Sequence, residues 1–365
     1  MSKMSKAARL RIIGLVIVIA VVAVVGGLKL AEANRPAPPE PAQTVTGYLG
    51  GEKISLFEDE AFLQACREAG LEVDYRKAGS LDMMTADKKG MDYLFPSSRA
   101  AVSYGEAQGV ETAGSDIVFN SPIVIYTHKP VADALVKSGL MSRDGQGVYR
   151  MDMQKAVDAM LADKTWADLG WSDGYGQFRI DSTDPTKSNS GNEYAALLAT
   201  VFNGGVPATT ESIARDHDKI AKVFGKSGFM ETSSEDSFTQ FLTLGAGSKP
   251  TMVGYESQIL DLAVNHKDQY QQVKDDLVMV YPTPTVWSTH VLMPLDAKGR
   301  KLLTVLKSDK IQQLAWKRHG FRMANYLGAT SVKDFGVAGV QQDVTKVSEL
   351  PDNDAMQALI KILGG

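Results

Sequence analysis

An apolar run near the start of the chain constrains it most. Residues 12–28 read IIGLVIVIAVVAVVGGL without a charge, and Lys3, Lys6, Arg9 and Arg11 precede them. With Leu10 and Leu30 at its ends, the run approaches the roughly 20 residues a helix needs to cross a bilayer. Basic residues ahead of the run and no comparable cluster behind it put the N-terminus in the cytoplasm and the remainder outside. A cleaved signal peptide has a shorter apolar core, about 7–15 residues. Ala31 and Ala33 offer it a small-x-small site, yet an uncleaved signal anchor fits the length better. No Cys follows the run, so lipid attachment there is excluded. Residues 1–11 are thus expected as a basic cytoplasmic N-terminus and residues 12–30 as a single transmembrane span.

Pro36, Pro38, Pro39 and Pro41 follow. Such spacing favours an extended, polyproline-like spacer, read here as a linker over 31–46. Of the 365 residues, the rest suffice for two domains at about 150 residues each. Hydrophobic residues at 44% and charged residues at 22% fit an ordinary globular body. With 39 Lys+Arg against 43 Asp+Glu, the net charge is −4, which argues against a non-specific nucleic-acid binder. The lone Cys66 rules out an intrachain disulfide and a Cys-based metal or iron–sulfur site; it reads as a small core residue.

Short apolar segments alternate with amphipathic ones, the pattern of an α/β fold. Strands are expected near Lys53–Phe57, Glu72–Arg76, Tyr93–Phe95, Asp116–Tyr126, Phe178–Asp181, Thr251–Tyr255, Leu277–Tyr281 and Val286–Pro294. Helices are expected at Glu58–Ala69, Leu81–Lys88, Arg99–Gln108, Met153–Leu161, Glu193–Phe202, Glu211–Phe224, Ser234–Leu244, Ser257–Val264, Lys298–Leu306, Lys310–Phe321 and Asp354–Leu363. Asn120-Ser121-Pro122 is expected to interrupt the long strand.

None of the five histidines sits in an HExxH pair or beside a GxSxG elbow. Gly225-Lys226-Ser227 fails as a phosphate loop because Ile220 stands where the first glycine belongs. No catalytic set, cofactor site or metal site emerges, and the expectation is a non-enzyme. The polar signals lie instead at strand-to-helix transitions: Gly79-Ser80, Ser97-Ser98, Asn120-Ser121 and Ser188-Asn189-Ser190-Gly191. In open α/β sheets, ligands bind beyond the carboxyl ends of strands. A helix N-terminus there offers unpaired N–H groups and partial positive charge, hydroxyls add donors, and the set suits an anion without a basic side chain. Each Ser also suits a plain helix cap, worth about 1 kcal/mol. The Ser188–Gly191 loop holds more donors than one cap needs.

These residues resemble the type II periplasmic solute-binding proteins that serve ABC importers, over about Thr46 to Gly320 or beyond. The most specific stretch is Phe178–Asn192, FRIDSTDPTKSNSGN, similar to the strand–loop–helix segment of binding proteins for phosphate, sulfate and molybdate. The resemblance implies an α/β fold of two lobes joined by crossing strands, lobe one from 47–121 and 287–365 and lobe two from 122–286. It implies a cleft lined by Ser80, Ser97, Ser98 and Ser121 on one wall and Ser188, Asn189, Ser190, Gly191 and Tyr255 on the other. Glu256 beside that cleft would repel an anion unless it is protonated or faces away. The implied role is capture of a small polar, anionic ligand for an ABC permease or a sensor, by a body tethered outside the inner (cell) membrane. The alternative is an envelope scaffold with a degenerate cleft.

Overall fold

The computed structural model describes residues 42–324 and 331–364. The expected span at 12–30 lies outside them. Among the described residues no helix is long and apolar enough to cross a membrane.

The chain enters on β1 (Gln43–Leu49), inside the stretch read as linker, and turns into α1 (Ile54–Phe57) and α2 (Glu60–Glu68). The expected strand at Lys53–Phe57 is therefore helical; five residues show no period that separates the two states. Asp59 caps α2 through the Ala61 N–H at 2.8 Å. Next come β2 (Leu71–Lys77), the short α3 (Asp82–Thr85), β3 (Tyr93–Phe95) and α4 (Arg99–Ala107). The strands pair in parallel, β1 lying between β2 and β3, as helical crossovers allow.

The 13-residue β4 (Asp116–His128) joins the two halves of the sheet and is not interrupted. Its first half pairs with β9 (Thr285–Pro294) up to Pro122↔Trp287. From Ile123 it pairs with β7 (Thr251–Tyr255), and from Ile125 also with β8 (Leu277–Thr283). Pro122 lacks an N–H, and that gap falls where the strand exchanges partners. Between β4 and β7 run α5 (Lys129–Lys137), β5 (Met141–Arg143), β6 (Tyr149–Asp152), α6 (Met153–Leu161), α7 (Asn189–Phe202), α8 (Thr210–Phe224) and α9 (Ser234–Leu244). Then follow α10 (Glu256–Asn265) and α11 (Lys267–Val273) before β8, and α12 (Ala297–Leu306), α13 (Asp309–His319) and α14 (Asn353–Leu363) after β9. Phe178–Asp181, expected as a strand, makes only an isolated bridge, Asp181↔Met252.

Strand order is β2-β1-β3-β9-β4-β8-β6-β5, with β7 also on β4. Around the first half, Val45, Phe62, Phe95, Phe119 and Leu302 form one core. In the second half β4 is buried on both faces. Ile123 and Ile125 join Trp166, Leu197 and Phe224, while Val124 and Tyr126 join Phe238, Leu260 and Met279. That is the two-residue alternation of a strand, hidden in the sequence because both faces are apolar. Helix α14 packs Ala355, Met356 and Leu359 into the core that contains Trp166.

Candidate functional site

The carboxyl ends of β1 and β2 face the starts of α7 and α9 and the end of β7. Between them lies a cavity of about 370 Å³, lined by Glu52, Lys77, Ser80, Ser188, Asn189 and Tyr255 among others. Four of the nine residues singled out from sequence thus share one cavity.

Helix α7 begins here without its expected cap. Ser188 has the extended backbone of an N-cap (φ −102°, ψ 135°), but its side chain accepts no bond from the helix. Its hydroxyl pairs instead with Ser190 Oγ at 3.2 Å, and Ser190 Oγ also bonds Thr183 Oγ1 at 2.7 Å. The N–H groups of Asn189, Ser190 and Gly191 find no acceptor among the described residues. A buried unpaired donor costs about 1–3 kcal/mol, and three at one helix start leave a fixed positive end open. The helix starts four residues earlier than the apolar pattern at Glu193 indicates, so the loop's donors belong to its first turn.

The remaining candidates hold the fold. Ser98 caps α4, accepting from Ala101 N at 3.1 Å. Ser121 accepts from Ser257 N at 3.1 Å, across from the first half of the sheet to α10. Ser190 is fully buried. Gly191 lies so close to Thr183 that an added Cβ would stand 2.2 Å from its carbonyl oxygen. Glu256 does not face the cavity as a free charge. It is buried, Arg322 donates to it at 2.6 and 2.9 Å, and Tyr281 OH also donates to it.

Ser97 belongs to a closed polar cluster that the sequence did not reveal. Lys53, fully buried, donates to Glu52 Oε1 at 2.5 Å, Ser97 Oγ at 2.7 Å and His290 Nδ1 at 3.2 Å. Ser97 donates in turn to Glu52. Burial works against the Glu52 charge, but the Lys53 ammonium beside it, with hydrogen bonds from Lys53 and Ser97, overcomes it and holds its pKa at about 2. Burial and the neighbouring Lys53 depress His290 to about 3, keeping the ring neutral. Burial pushes Glu193, on α7, well above the carboxylate range. Among the described residues neither of its oxygens accepts a well-formed bond, with Asn189 and Ser288 beside it. Lys53 and Ser97 superficially resemble a nucleophile and base. Ser97 is only 1% exposed and its proton is committed to Glu52, so the pair is a brace. Glu52-Lys53 follows Gly50-Gly51 directly after β1; reading 53–57 as a strand masked that loop position.

The two halves touch directly across this region. Asn189 Nδ2 donates to Ser97 O at 3.1 Å and to Tyr255 OH at 3.1 Å. A Cβ on Gly79 would stand 2.0 Å from Lys187 O. Gly79→Val is therefore expected to wedge the halves apart, raising the radius of gyration in solution X-ray scattering. A radius equal to wild type would mean that the 187–188 loop yields instead.

No protein-family model matches the sequence, and no curated protein matches it. Solved structures do. A periplasmic thiamin binding protein superposes with TM-score 0.60 at 11% identity, over 90% of this chain and 97% of that one. The sulfate-binding protein SubI from Mycobacterium tuberculosis gives 0.53 at 16%, over 89% and 96%. A ferric binding protein from Campylobacter jejuni gives 0.53 at 13%, over 88% and 96%. The fold is that of the type II periplasmic solute-binding proteins. All three are named as binding proteins, for thiamin, sulfate and ferric iron respectively. The expected family resemblance is thus borne out at the level of fold, and the identity of any ligand rests on the cavity.

Proposed function

We propose that the chain is an extracytoplasmic solute-binding protein that captures a small polar, anionic ligand in the 370 Å³ cavity. In this reading the apolar run at 12–30 holds it at the inner membrane as a single span, and an ABC permease or sensor receives the ligand. In this reading lobe one comprises 47–121 with 287–365 and lobe two 122–286, and helix α14 of lobe one packs on the core that contains Trp166.

The observation that carries the reading is the open start of α7. The first turn of α7 carries three N–H groups without acceptors among the described residues, and its leading residues Ser188 and Asn189 line the cavity, so that an anion there would meet the Asn189 N–H and the positive end of the helix dipole. The carboxylates around the cavity do not oppose this strongly. Glu52 is paired with Lys53 and Asp236 with Lys77 at 3.2 Å, and burial raises the Asp82 pKa from its ordinary value.

The test is a thermal-shift panel of sulfate, phosphate, carboxylates, sugars and amino acids. A ligand at 100 times its Kd adds about 2.7 kcal/mol to stability. Two variants locate the site. Asn189→Ala removes the side chain and keeps the N–H, whereas Asn189→Pro removes both; the extended Ser188 suits a following proline at the first helical position. The proline variant is expected to bind the anion at least tenfold more weakly than the alanine variant. Equal affinities would refute the helix-end site. No anion shift in the wild type would refute the anionic ligand.

A further inference from the structure

A larger cavity, about 660 Å³, opens on the other side of Gly51 and Glu52, which border both cavities. Its walls come from α1 and the end of α13 on one side, and from α9 and α10 on the other. Six carboxylates reach it: Glu52, Glu58, Asp59, Glu60, Glu235 and Asp261. Four have basic partners, Glu52 with Lys53, Asp59 with Arg318, Glu60 with Arg67 and Asp261 with His319. Glu58 and Glu235 have none among the described residues: Glu58 accepts only from Tyr75 OH, and Glu235 only from Gln258 at 3.4 Å. The wall between the charges is apolar, with Ile54, Phe238, Leu242 and Leu262.

A second feature points the same way. Ser257 lines this cavity, is 2% exposed, and among the described residues its hydroxyl has no hydrogen-bond partner. A buried hydroxyl left without a partner costs free energy, and an ammonium donor would satisfy it. Burial also raises the Glu235 pKa from its ordinary value, with Asp261 and Glu52 adding to the effect. A cation entering beside it would relieve both penalties.

We propose that this cavity binds an organic amine cation, the ammonium held between Glu235 and the Ser257 hydroxyl and the hydrocarbon body against Phe238, Leu242 and Leu262. The site shares the cleft with the anion site but uses none of the α7 N–H groups, so either can fail alone. A chain with both would take up a solute bearing opposite charges at its two ends, or two solutes side by side.

The test is isothermal titration calorimetry on the whole body with 1,4-diaminobutane, and with 1,4-butanediol as the uncharged control. The diamine is expected to bind and the diol not to. Glu235→Gln is expected to weaken the diamine at least tenfold and Ser257→Ala about threefold, with far-UV circular dichroism unchanged. Sulfate or phosphate binding at the start of α7 is expected to stay at wild-type strength in both variants. Absence of diamine binding to the wild type, equal binding of the diol, or wild-type affinity in a folded Glu235→Gln would each overturn the proposal.

Discussion

Replacing Lys53 by methionine is expected to destabilise the protein by about 3–5 kcal/mol, as removal of one partner of a buried ion pair does. The side chains are similar in length, so the loss is that of charge rather than of packing. Glu52 would remain in the interior with Ser97 as its donor and His290 Nδ1 at 3.6 Å. Replacing both charges, Glu52→Gln with Lys53→Met, is expected to recover most of that loss, since a neutral pair leaves no uncompensated charge. Urea denaturation monitored by tryptophan fluorescence measures both. A single variant within about 1 kcal/mol of wild type would show that water reaches the cluster and screens it.

Stability is also expected to fall as the pH drops below 6.5. His290 has a pKa near 3 in the folded protein against 6.5 for an unburied ring. The unfolded chain therefore binds a proton that the folded chain refuses. The contribution is complete above 6.5 and is lost progressively down to about 3. Each unit of that interval is worth at most about 1.4 kcal/mol. Between pH 6.5 and 4.5 the loss is about 2–3 kcal/mol. Below 4.5 the depressed Glu52 adds in the same direction, because its carboxylate is favoured only in the folded state. Glu193 works in the opposite sense. Its raised pKa makes the folded state the better proton binder, so its contribution weakens as the pH rises above the ordinary carboxylate range. In His290→Gln the decline between pH 6.5 and 4.5 is expected to flatten. An undiminished decline would assign the acid sensitivity to other groups.

Much of the fold was legible in the sequence. The helices at Met153–Leu161 and Ser234–Leu244 match the apolar spacing to the residue, as do the strands Tyr93–Phe95 and Thr251–Tyr255. These segments pair a clear period with a local stop or cap. The failures have local causes. Lys53–Phe57 was too short for its period to decide, and its last residues, Leu56 and Phe57, are buried from a helical turn. Asn120-Ser121-Pro122 carries the composition of a break, yet the strand continues because a partner exchange at Pro122 absorbs the missing donor. Lys129–Lys137, with Pro130 in its first turn, was missed as a helix although proline suits that position.

The site divides in the same way. Ser80, Ser188, Asn189 and Tyr255, which line the cavity, stand at turns after strands or before helices, and such turns can be read locally. Ser98 and Ser121 had the same signature, yet Ser98 caps its own helix and Ser121 accepts from a distant one, and which hydroxyl meets which distant N–H depends on elements far apart in the chain. Thus Ser121 meets Ser257 across 136 positions.

What the sequence by itself determined is the alternation that makes this an α/β chain and the loops that supply donors, because both are set by neighbours within a few residues. Tertiary structure alone decided which donors remain unpaired and which charges are enclosed. Lys53 meets His290 across 237 positions. Glu52, Lys53 and Glu193 read as ordinary solvated charges until the halves close over them. Burial then sets their protonation, and burial is a property of the whole packed sheet.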